Sequence, residues 1–241
     1  MERGLPHGRH QSKNAGAEVN TARLDRNDAE AVSNFIRANT KLLNPPLVPE
    51  IVLHLAEESM PIWEKAEEEL GELNLPPPYW AFAWAGGQAL ARFLLDHAEF
   101  CRAQSVVDLG AGSGLTAIAA AKCGAFSVIA ADVDEIALRA CRMNAAANGV
   151  RFGTTSDDLL NRPLEAPEVL LVGDLFYERQ LAESVLVMIG AAKAAGSVVL
   201  IGDPQRNYFP RDRFECLADY IVPVTRELED AEIKRTAVWR A

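Results

Sequence analysis

Val107-Asp108-Leu109-Gly110-Ala111-Gly112-Ser113-Gly114 is the stretch that decides the fold of this 241-residue chain. It ends a short apolar run typical of a strand, turns on three glycines and opens an alanine-rich helix. Glycine suits such a loop because the backbone turns tightly and a ligand can approach without meeting a Cβ. The amides at the start of the helix are oriented to bind an anionic group. The sequence therefore predicts a ligand-binding loop between a strand and a helix.

Strand and helix patterns alternate around this loop. Strands are predicted at 105–109, 127–131, 150–154, 169–172 and 197–201, with helices at about 115–122, 135–148 and 181–195. The last two predicted strands, 220–228 and 235–239, have no helix between them and should form an antiparallel hairpin at the sheet edge. This alternation predicts a Rossmann-like, doubly wound α/β fold with seven strands and helices on both faces.

Two acidic residues near the glycine loop favour one class of cofactor. Asp132 ends the strand that follows the loop, where a carboxylate accepts both ribose hydroxyls of an adenosine. Asp108 precedes Gly110 by two residues and is placed to reach the amino group of a bound amino acid. A dinucleotide fingerprint would have its third glycine at the position of Leu115. The pattern favours S-adenosylmethionine over NAD or FAD.

The chain resembles the class I S-adenosylmethionine methyltransferases in its DLGAGSG loop and in AADVD at the end of the second strand. The resemblance places Asp108 and Gly110 beside the methionine moiety and Asp132 on the ribose. It gives Gly112 and Gly114 the task of shaping the loop. It also implies that Asp157 or Asp158, after the third strand, contacts the adenine amino group. A helix or turn cap is the alternative for that pair.

Four further segments resemble the electron transfer flavoprotein β-subunit lysine methyltransferase family. They are PPPYWAFAWAGGQALARFLLD from position 76, VGDLFYE from 172, VLIGDPQRNYF from 199 and TAVW from 236. The likeness extends over about residues 40–241. It implies a protein-lysine N-methyltransferase that acts on the β subunit of electron transfer flavoprotein. A ribosomal-protein methyltransferase of the L11 type is the competing interpretation, and a non-catalytic adenosine-ligand-binding interaction module is a third.

Asp174 and Tyr177 match the Asp-x-x-Tyr motif that such enzymes place beside the reacting methyl group. A lysine amine must lose its proton to attack, and an apolar aromatic channel favours the neutral amine by desolvation. Trp84, Phe176 and Tyr177 are the candidates for this channel, and Trp84 is also assigned to the cofactor site. Asp174 is expected to orient the amine rather than to act as a strong base, because a carboxylate stabilises the ammonium form.

Turns or substrate contacts are expected after the fifth strand. Asp203-Pro204 ends that strand, at the sheet edge where ligands bind in open α/β folds. Arg206, Asn207 and Tyr208 follow it. They either contact the protein substrate or form a simple turn.

The charge balance argues against a nucleic-acid substrate. The chain carries 24 Lys and Arg against 34 Asp and Glu, a net charge of −10. Phosphate binding needs a basic face, which so acidic a chain is poorly suited to provide. The place after the fourth strand holds Gly173-Asp174-Leu175-Phe176-Tyr177 and lacks the Pro-Pro of base methyltransferases. A basic protein partner fits better than DNA or RNA.

The N-terminal part is predicted to be separate from the methyltransferase domain at 77–241. Residues 1–26 are polar, without apolar periodicity, and are expected to be a flexible tail. Residues 27–76 are predicted to be a helical extension, with Asn27 and Glu30 as a capping box and a second helix beginning at Pro49. Glu57 to Glu72 contains seven glutamates and one lysine, either a solvated helix face or a docking surface for a basic partner.

Cysteine and histidine spacing indicates no metal site and no hydrolase. Cys101, Cys123, Cys141 and Cys216 form no CxxC pair, which favours reduced and mostly buried thiols. The chain also has no GxSxG or HExxH motif. Neither an apolar run of membrane-spanning length nor a signal peptide is evident, so we expect a cytoplasmic protein that does not bind membranes.

Overall fold

The computed structural model describes residues 24–57, 77–162, 166–224 and 233–241. Its central feature is a seven-stranded sheet with the order β5-β4-β3-β6-β7-β9-β8. The strands are β3 (Ser105–Leu109), β4 (Ser127–Ala131), β5 (Gly153–Thr155), β6 (Val169–Gly173), β7 (Val198–Asp203), β8 (Glu215–Pro223) and β9 (Ile233–Arg240). The first five pair in parallel, whereas β9 pairs antiparallel to both β7 and β8. The predicted parallel sheet and its antiparallel edge hairpin are confirmed.

Helices cover both faces of the sheet, as the alternation predicts. They are α1 (Ala29–Ala38), α2 (Ala85–Asp96), α3 (Leu115–Lys122), α4 (Glu135–Ala147) and α5 (Arg179–Ala194). Helices α2 and α3 share one buried apolar cluster with one face of the sheet, and α5 packs in a second cluster on the other face. The five-residue strands β3 and β6 are buried on both faces, which explains their continuous apolar sequence.

The strand order brings two loops together at the centre of the sheet. Strand β3 lies between β4 and β6, with Leu109 paired to Val172 at the carboxyl ends of β3 and β6. The glycine loop leaves β3 here, and the loop that begins at Asp174 leaves β6 beside it. The connection from β3 to β4 and the connection from β6 to β7 run toward opposite edges of the sheet. Open α/β sheets bind their ligands at such a point.

The first described helix begins one residue later than the predicted capping box. Asp28, not Asn27, is the N-cap of α1, and its carboxylate accepts hydrogen bonds from the backbone N–H groups of Glu30 and Ala31. The N–H of Asn27 instead donates to the Asp25 side chain. Both residues suit an N-cap, and the sequence alone does not separate adjacent candidates.

The predicted second helix at Pro49 is wrong. The described part of this region forms a two-stranded antiparallel hairpin of β1 (Lys41–Leu43) and β2 (Leu53–Leu55). Ile51, Leu53 and Leu55 are buried, an alternating pattern that is typical of a strand. The helical interpretation depended on Ile51, Val52 and Leu55. The predicted helical extension is therefore a helix followed by a hairpin as far as residue 57.

Two asparagine side chains, one in the last turn of α4 and one directly after it, hold this hairpin against the sheet domain. Asn144 Oδ1 accepts from the backbone N–H of His54 at 2.7 Å, and Asn148 exchanges hydrogen bonds with both backbone groups of Val52. These amides satisfy backbone groups that the short hairpin leaves unpaired. The tertiary partners come from about 90 residues away in sequence, so a local pattern does not reveal them.

Two N-terminal predictions lie partly or wholly outside the described residues. Of the predicted tail at 1–26, only residues 24–26 are described, and they are docked: Leu24 packs on an apolar cluster and Arg26 pairs with Asp134 at 3.0 Å. Of the acidic segment from Glu57 to Glu72, only Glu57 is described. Its role as a solvated face or docking surface therefore stays a prediction.

All four cysteines are free thiols. Cys101, Cys123 and Cys141 are buried and Cys216 is exposed, as predicted for mostly buried thiols. Burial raises the pKa of Cys101 to about 12. Within the four described ranges, no helix is both long and apolar enough to cross a membrane.

Candidate functional site

A cavity of about 470 Å³ opens at the carboxyl ends of β3, β4 and β6. Most of the predicted site residues line it. They are Trp84, Gly110, Gly112, Asp132, Asp157, Asp158, Asp174 and Tyr177. Asp108 and Gly114 do not line it. The fold thus brings residues from five separate stretches of sequence to one cavity, although what each one binds there stays a prediction.

The glycine loop has the backbone geometry that requires glycine. Gly110 and Gly114 have φ angles of +64° and +78°, which side-chain-bearing residues rarely adopt. A Cβ at Gly110 would come within 2.8 Å of the Leu175 side chain, and one at Gly114 would strike the Cys141 sulfur. Gly114 therefore packs against Cys141 and does not line the cavity, whereas Gly110 and Gly112 do.

Asp132 is held in place by the loop itself. Its Oδ2 accepts the backbone N–H of Gly112 at 2.8 Å, and its Oδ1 accepts that of Asp134 at 2.9 Å. Each carboxylate oxygen has a second lone-pair position available for a further donor. Burial raises the pKa of Asp132, partly offset by these two hydrogen bonds. Asp132 is thus a fixed carboxylate in the cavity lining, and its contact with a ribose stays a prediction.

Asp108 lies beneath the loop. Its carboxylate accepts hydrogen bonds from the Thr116 hydroxyl and from the backbone N–H of Ala117. It thus satisfies donors in the first turn of α3. Burial raises the pKa of Asp108 to about 7. The structure shows a residue that anchors the helix start, and its contact with the cofactor amino group stays a prediction.

Asp157 and Asp158 follow β5 and differ in their local hydrogen bonds. Both carboxylate oxygens of Asp158 are used in a turn, by the N–H of Leu160 and the side chain of Asn161. Asp157 accepts one hydrogen bond, from the Thr155 hydroxyl. The capping alternative therefore describes Asp158 well. Both residues also line the cavity, so the choice between them for the adenine contact stays open.

An aromatic wall, defined as Tyr79, Trp84 and Tyr177, forms part of the cavity lining. The Tyr79 ring centroid lies 5.9 Å from that of Trp84 and 5.8 Å from that of Tyr177. The Trp84 indole N–H donates to the Tyr79 carbonyl at 2.8 Å, which fixes the ring. Burial raises the pKa of Tyr177 to about 12, so its phenol keeps its proton at neutral pH. Tyr79 was not among the predicted site residues.

The prediction that Phe176 lines this channel is wrong. Its side chain is fully buried and packs on Phe209 with ring centroids 5.1 Å apart. It belongs to the apolar cluster between the sheet and α5. Phe176 points into that cluster, and its two neighbours in sequence, Leu175 and Tyr177, line the cavity instead.

Asp174 is buried and held from three directions. Its Oδ2 accepts the backbone N–H of Gly86 at 2.8 Å, and its Oδ1 accepts Arg206 Nε at 2.6 Å. Its own N–H donates to the Gly202 carbonyl at 2.9 Å, and its φ of +60° places its backbone in the left-handed region. Asp174 is therefore a fixed carboxylate in the cavity wall that already carries a cationic partner.

Arg206 and Asp203 complete this corner of the site. Asp203 ends β7, and its Oδ1 accepts the backbone N–H of Arg206 at 2.7 Å. Its Oδ2 is buried with no hydrogen-bond partner among the described residues. Burial, together with the nearby Asp174 charge, raises the pKa of Asp203 to about 7. Of the turn residues predicted to contact substrate, Arg206 lines the cavity, whereas Tyr208 stacks under Arg179.

The donor set suits an organic cofactor. In the described ranges, no group of three or more His, Cys, Asp or Glu side chains is arranged to hold a metal ion. The cavity combines the Asp132 carboxylate, which has further acceptor positions, with two loop glycines that carry no Cβ, Gly110 and Gly112, and with apolar walls that include Leu159 and Ala137. A hydroxyl-bearing sugar joined to a flat base and an amino-acid chain fits this combination.

Comparisons with known proteins agree with the fold. The family model for ribosomal protein L11 methyltransferase (PrmA) matches residues 89–170, about a third of the chain. A crystal structure of SMU.776, a methyltransferase complexed with S-adenosylhomocysteine, superimposes with a TM-score of 0.52 at 12% identity. That match covers 84% of this chain and 56% of the other. At this identity the likeness shows the fold alone.

Similarity to curated proteins is much higher and nearly full-length. The electron transfer flavoprotein beta subunit lysine methyltransferase of Danio rerio is 36% identical over 216 residues, 87% of this chain and 83% of the relative. The protein of the same name from Rattus norvegicus is 37% identical over 213 residues, 85% of this chain and 82% of the relative. Both matches extend well beyond the cofactor-loop region that the L11 family model covers.

Proposed function

The chain belongs to the electron transfer flavoprotein beta subunit lysine methyltransferase family, and we propose that it methylates lysine on that subunit with S-adenosylmethionine as the donor. The nearly full-length similarity to these relatives is the observation that carries the proposal. The geometry of the cavity supports it, because one end suits an adenosine and the other end suits an amine.

At the cofactor end, Asp132 would hold the ribose and the glycine loop would receive the methionine moiety. The carboxylate is already oriented by Gly112 and Asp134, so ribose hydroxyls would add to an existing hydrogen-bond arrangement. Charge-assisted hydrogen bonds of this kind are stronger than those between neutral groups. Asp157 or Asp158 would contact the adenine, and the walls around Leu159 would cover its faces.

At the other end, the aromatic wall and Asp174 would bind the lysine side chain. Tyr79, Trp84 and Tyr177 line the cavity, and their rings would pack on the methylene stem and displace water from it. Desolvation lowers the pKa of the amine from its ordinary value of about 10.4. Tyr177 would not remove the proton, because burial raises the pKa of its phenol to about 12. The tyrosine would act as a neutral part of the wall.

The cofactor supplies an activated methyl group on a sulfonium. The protein's task is to align the amine nitrogen with that group, since such alignment alone accounts for a large share of rate enhancement. Asp174 would accept an N–H of the amine and direct its lone pair. The proton that the nitrogen loses would leave to solvent, so the site needs no strong base.

A ribosomal-protein substrate is the second candidate, because the L11 methyltransferase model matches residues 89–170. That range contains the glycine loop and Asp132. It contains none of the aromatic wall, Asp174 or Arg206. The match therefore supports the shared cofactor half and bears little on the choice of protein substrate.

A direct comparison of substrates tests the proposal. Purified electron transfer flavoprotein β subunit and purified ribosomal protein L11 are incubated separately with the enzyme and S-adenosylmethionine carrying a labelled methyl group. We expect label in the flavoprotein subunit and background label in L11. Preferential labelling of L11 would favour the second candidate. Tight cofactor binding with no transfer to either protein would favour a non-catalytic binding module.

A further inference from the structure

The ion pair between Asp174 and Arg206 is part of the cavity wall. Arg206 Nε lies 2.6 Å from Asp174 Oδ1, and both side chains are mostly buried. The guanidinium carbon also lies 5.9 Å from the centre of the Trp84 ring. The arginine thus contacts both the carboxylate and the aromatic wall that the proposed function assigns to the lysine amine.

The backbone fixes both partners of this pair. The N–H of Asp174 is bonded to the Gly202 carbonyl, and the N–H of Arg206 is bonded to Asp203 Oδ1 at 2.7 Å. Asp203 is the last residue of β7, so the loop that carries Arg206 is tied to the end of the sheet. A guanidinium held in this way is preorganised, unlike a flexible surface cation.

The pair resolves an electrostatic conflict in the site. An isolated Asp174 carboxylate would stabilise the ammonium form of a lysine and oppose its deprotonation. With Arg206 bound at 2.6 Å, the positive guanidinium offsets the negative charge of the Asp174 carboxylate. A carboxylate whose charge is offset in this way stabilises the ammonium form less, which favours the neutral amine, and Asp174 still lines the cavity.

We infer that Arg206 is a positioning residue for methyl transfer, which holds Asp174 in its orienting geometry and favours the deprotonated form of the substrate amine. The inference rests on the proposed lysine methylation. It assigns to Arg206 a role in the pH dependence of the reaction that a purely structural ion pair would not have.

Other titratable groups line the cavity or lie near Asp174, and their titration must be accounted for. They are Asp132, Asp134, Asp157, Asp158, Tyr79 and Tyr177 around the cavity and Asp203 behind Asp174. Asp203 is the important one, because burial raises its pKa to about 7, within the range of an activity assay. The pH measurements are therefore repeated with Asp203→Asn as the parent protein.

The experiment compares Arg206→Gln, Arg206→Lys and wild type in methylation of the flavoprotein β subunit, with kcat and KM measured across a pH series. Loss of the cation should raise the pKa of the bound amine, so the Arg206→Gln rate should rise with pH at a midpoint displaced upward by about one unit. At neutral pH its kcat should fall about tenfold, since one pKa unit changes the neutral fraction by that factor. The affinity for S-adenosylhomocysteine should stay within about twofold, because the Asp132 carboxylate that is proposed to hold the ribose is positioned by Gly112 and Asp134 and not by Arg206.

Arg206→Lys separates charge from geometry. Lysine keeps the positive charge but lacks the planar fork of the guanidinium. Its pH midpoint should therefore stay near that of wild type, while kcat falls several-fold. Arg179→Gln is the matched control, because Arg179 stacks on Tyr208 and lies outside the cavity lining. It should leave both midpoint and kcat unchanged.

Three outcomes decide between the possibilities. An unshifted midpoint in folded Arg206→Gln, in both parent proteins, would overturn the inference and leave Arg206 a structural residue. If Arg206→Gln does not fold, the folded Arg206→Lys variant decides, and wild-type kcat in that variant would overturn the positioning role. If wild type itself methylates no lysine, the proposed function fails and the inference fails with it.

Discussion

The backbone N–H of Gly86 donates a hydrogen bond of 2.8 Å to Oδ2 of Asp174. This contact joins the first turn of α2, directly after Trp84, to the residue that follows β6. The same turn packs so closely on β7 that a Cβ at Gly86 would meet the Gly202 carbonyl oxygen. The position of Trp84 in the aromatic wall is thus coupled to that of the Asp174 carboxylate.

Adding one methyl group at Gly86 should disturb this coupling. Its Cβ would also come within 2.9 Å of the Asp174 backbone nitrogen, and backbone atoms cannot rotate away. We expect Gly86→Ala to lower the free energy of unfolding by about 1–3 kcal/mol, as overpacking does. Methylation by the folded fraction should also fall. Thermal melting and initial rates measure the two effects.

Gly87→Ala is the matched control, because a Cβ at Gly87 would meet no atom within 4 Å. It should leave activity unchanged and should be neutral or slightly stabilising, since alanine is favoured over glycine in a helix by about 1 kcal/mol or less. Equal destabilisation by both substitutions would contradict the packing argument.

Asp174→Asn should separate catalysis from cofactor binding. The substitution removes the charge that pairs with Arg206 and that is proposed to orient the amine, so we expect kcat to fall by about a hundredfold. The dissociation constant of S-adenosylhomocysteine should change little. Arg206 would lose its charged partner, so the protein should also lose about 1–3 kcal/mol of stability. Turnover, calorimetry and melting measure these three quantities.

Two results would reassign Asp174. Near-normal turnover in the folded Asp174→Asn protein would remove this residue from the catalytic group. A large loss of cofactor affinity with little further loss of rate would place it in the cofactor site.

Asp132→Ala should weaken cofactor binding. If two hydrogen bonds to the ribose are lost, S-adenosylhomocysteine should bind less tightly by about 2–4 kcal/mol. The substitution also frees the N–H groups of Gly112 and Asp134, which can loosen the loop. An analogue that lacks the ribose 2′- and 3′-hydroxyls separates the two effects in a double cycle. The analogue should bind wild type and Asp132→Ala with more nearly equal affinity. If Asp132→Ala reduced the affinity for S-adenosylhomocysteine and for the analogue by the same factor, Asp132 would not contact the ribose hydroxyls.

Asp203→Asn should change how stability depends on pH. Burial raises the folded pKa of Asp203 to about 7, whereas an unfolded carboxyl titrates near about 3.9. Between these two pKa values the folded protein binds the Asp203 proton more tightly than the unfolded chain does. The stabilisation that this proton binding gives to the folded state is therefore present at acidic pH and is lost as the pH rises through about 7. The amide carries no charge, so the variant should be more stable than wild type above neutral pH. Denaturant unfolding at a series of pH values measures the difference in free energy of unfolding between Asp203→Asn and wild type. This difference should shrink toward acidic pH, and a difference that does not change with pH would contradict the raised pKa.

The sheet, and the placement of the glycine loop and Asp132 at one cavity, can be predicted from sequence because their signals are local. The apolar strand before Gly110, the glycines with positive φ and the acidic end of β4 all lie within about 25 residues. The hairpin β1–β2 was missed because Ile51, Leu53 and Leu55 alternate for only a few residues, and Asn144 and Asn148 supply its tertiary partners.

The substrate end was predicted only in part, because its geometry depends on contacts between distant strands. Asp174 and Tyr177 were identified from a motif, but the Asp174–Arg206 pair joins positions 32 residues apart in sequence. Phe176 was assigned to the wrong side of the wall. The residue after a strand leaves the regular alternation, and the φ of +60° at Asp174 changes the direction of the side chains that follow. The Gly-Gly sequence after Trp84 was the available signal for the close approach of α2 to β7.

Peptide mapping by mass spectrometry tests the central proposal most directly. The flavoprotein β subunit is incubated with S-adenosylmethionine and either wild-type enzyme or Asp174→Asn, then digested and sequenced. The proposed function predicts methyl groups on lysine side chains with wild type and a strong reduction with Asp174→Asn at equal cofactor occupancy. Methylation confined to another residue type, or an unmodified β subunit alongside a methylated ribosomal protein L11, would contradict it.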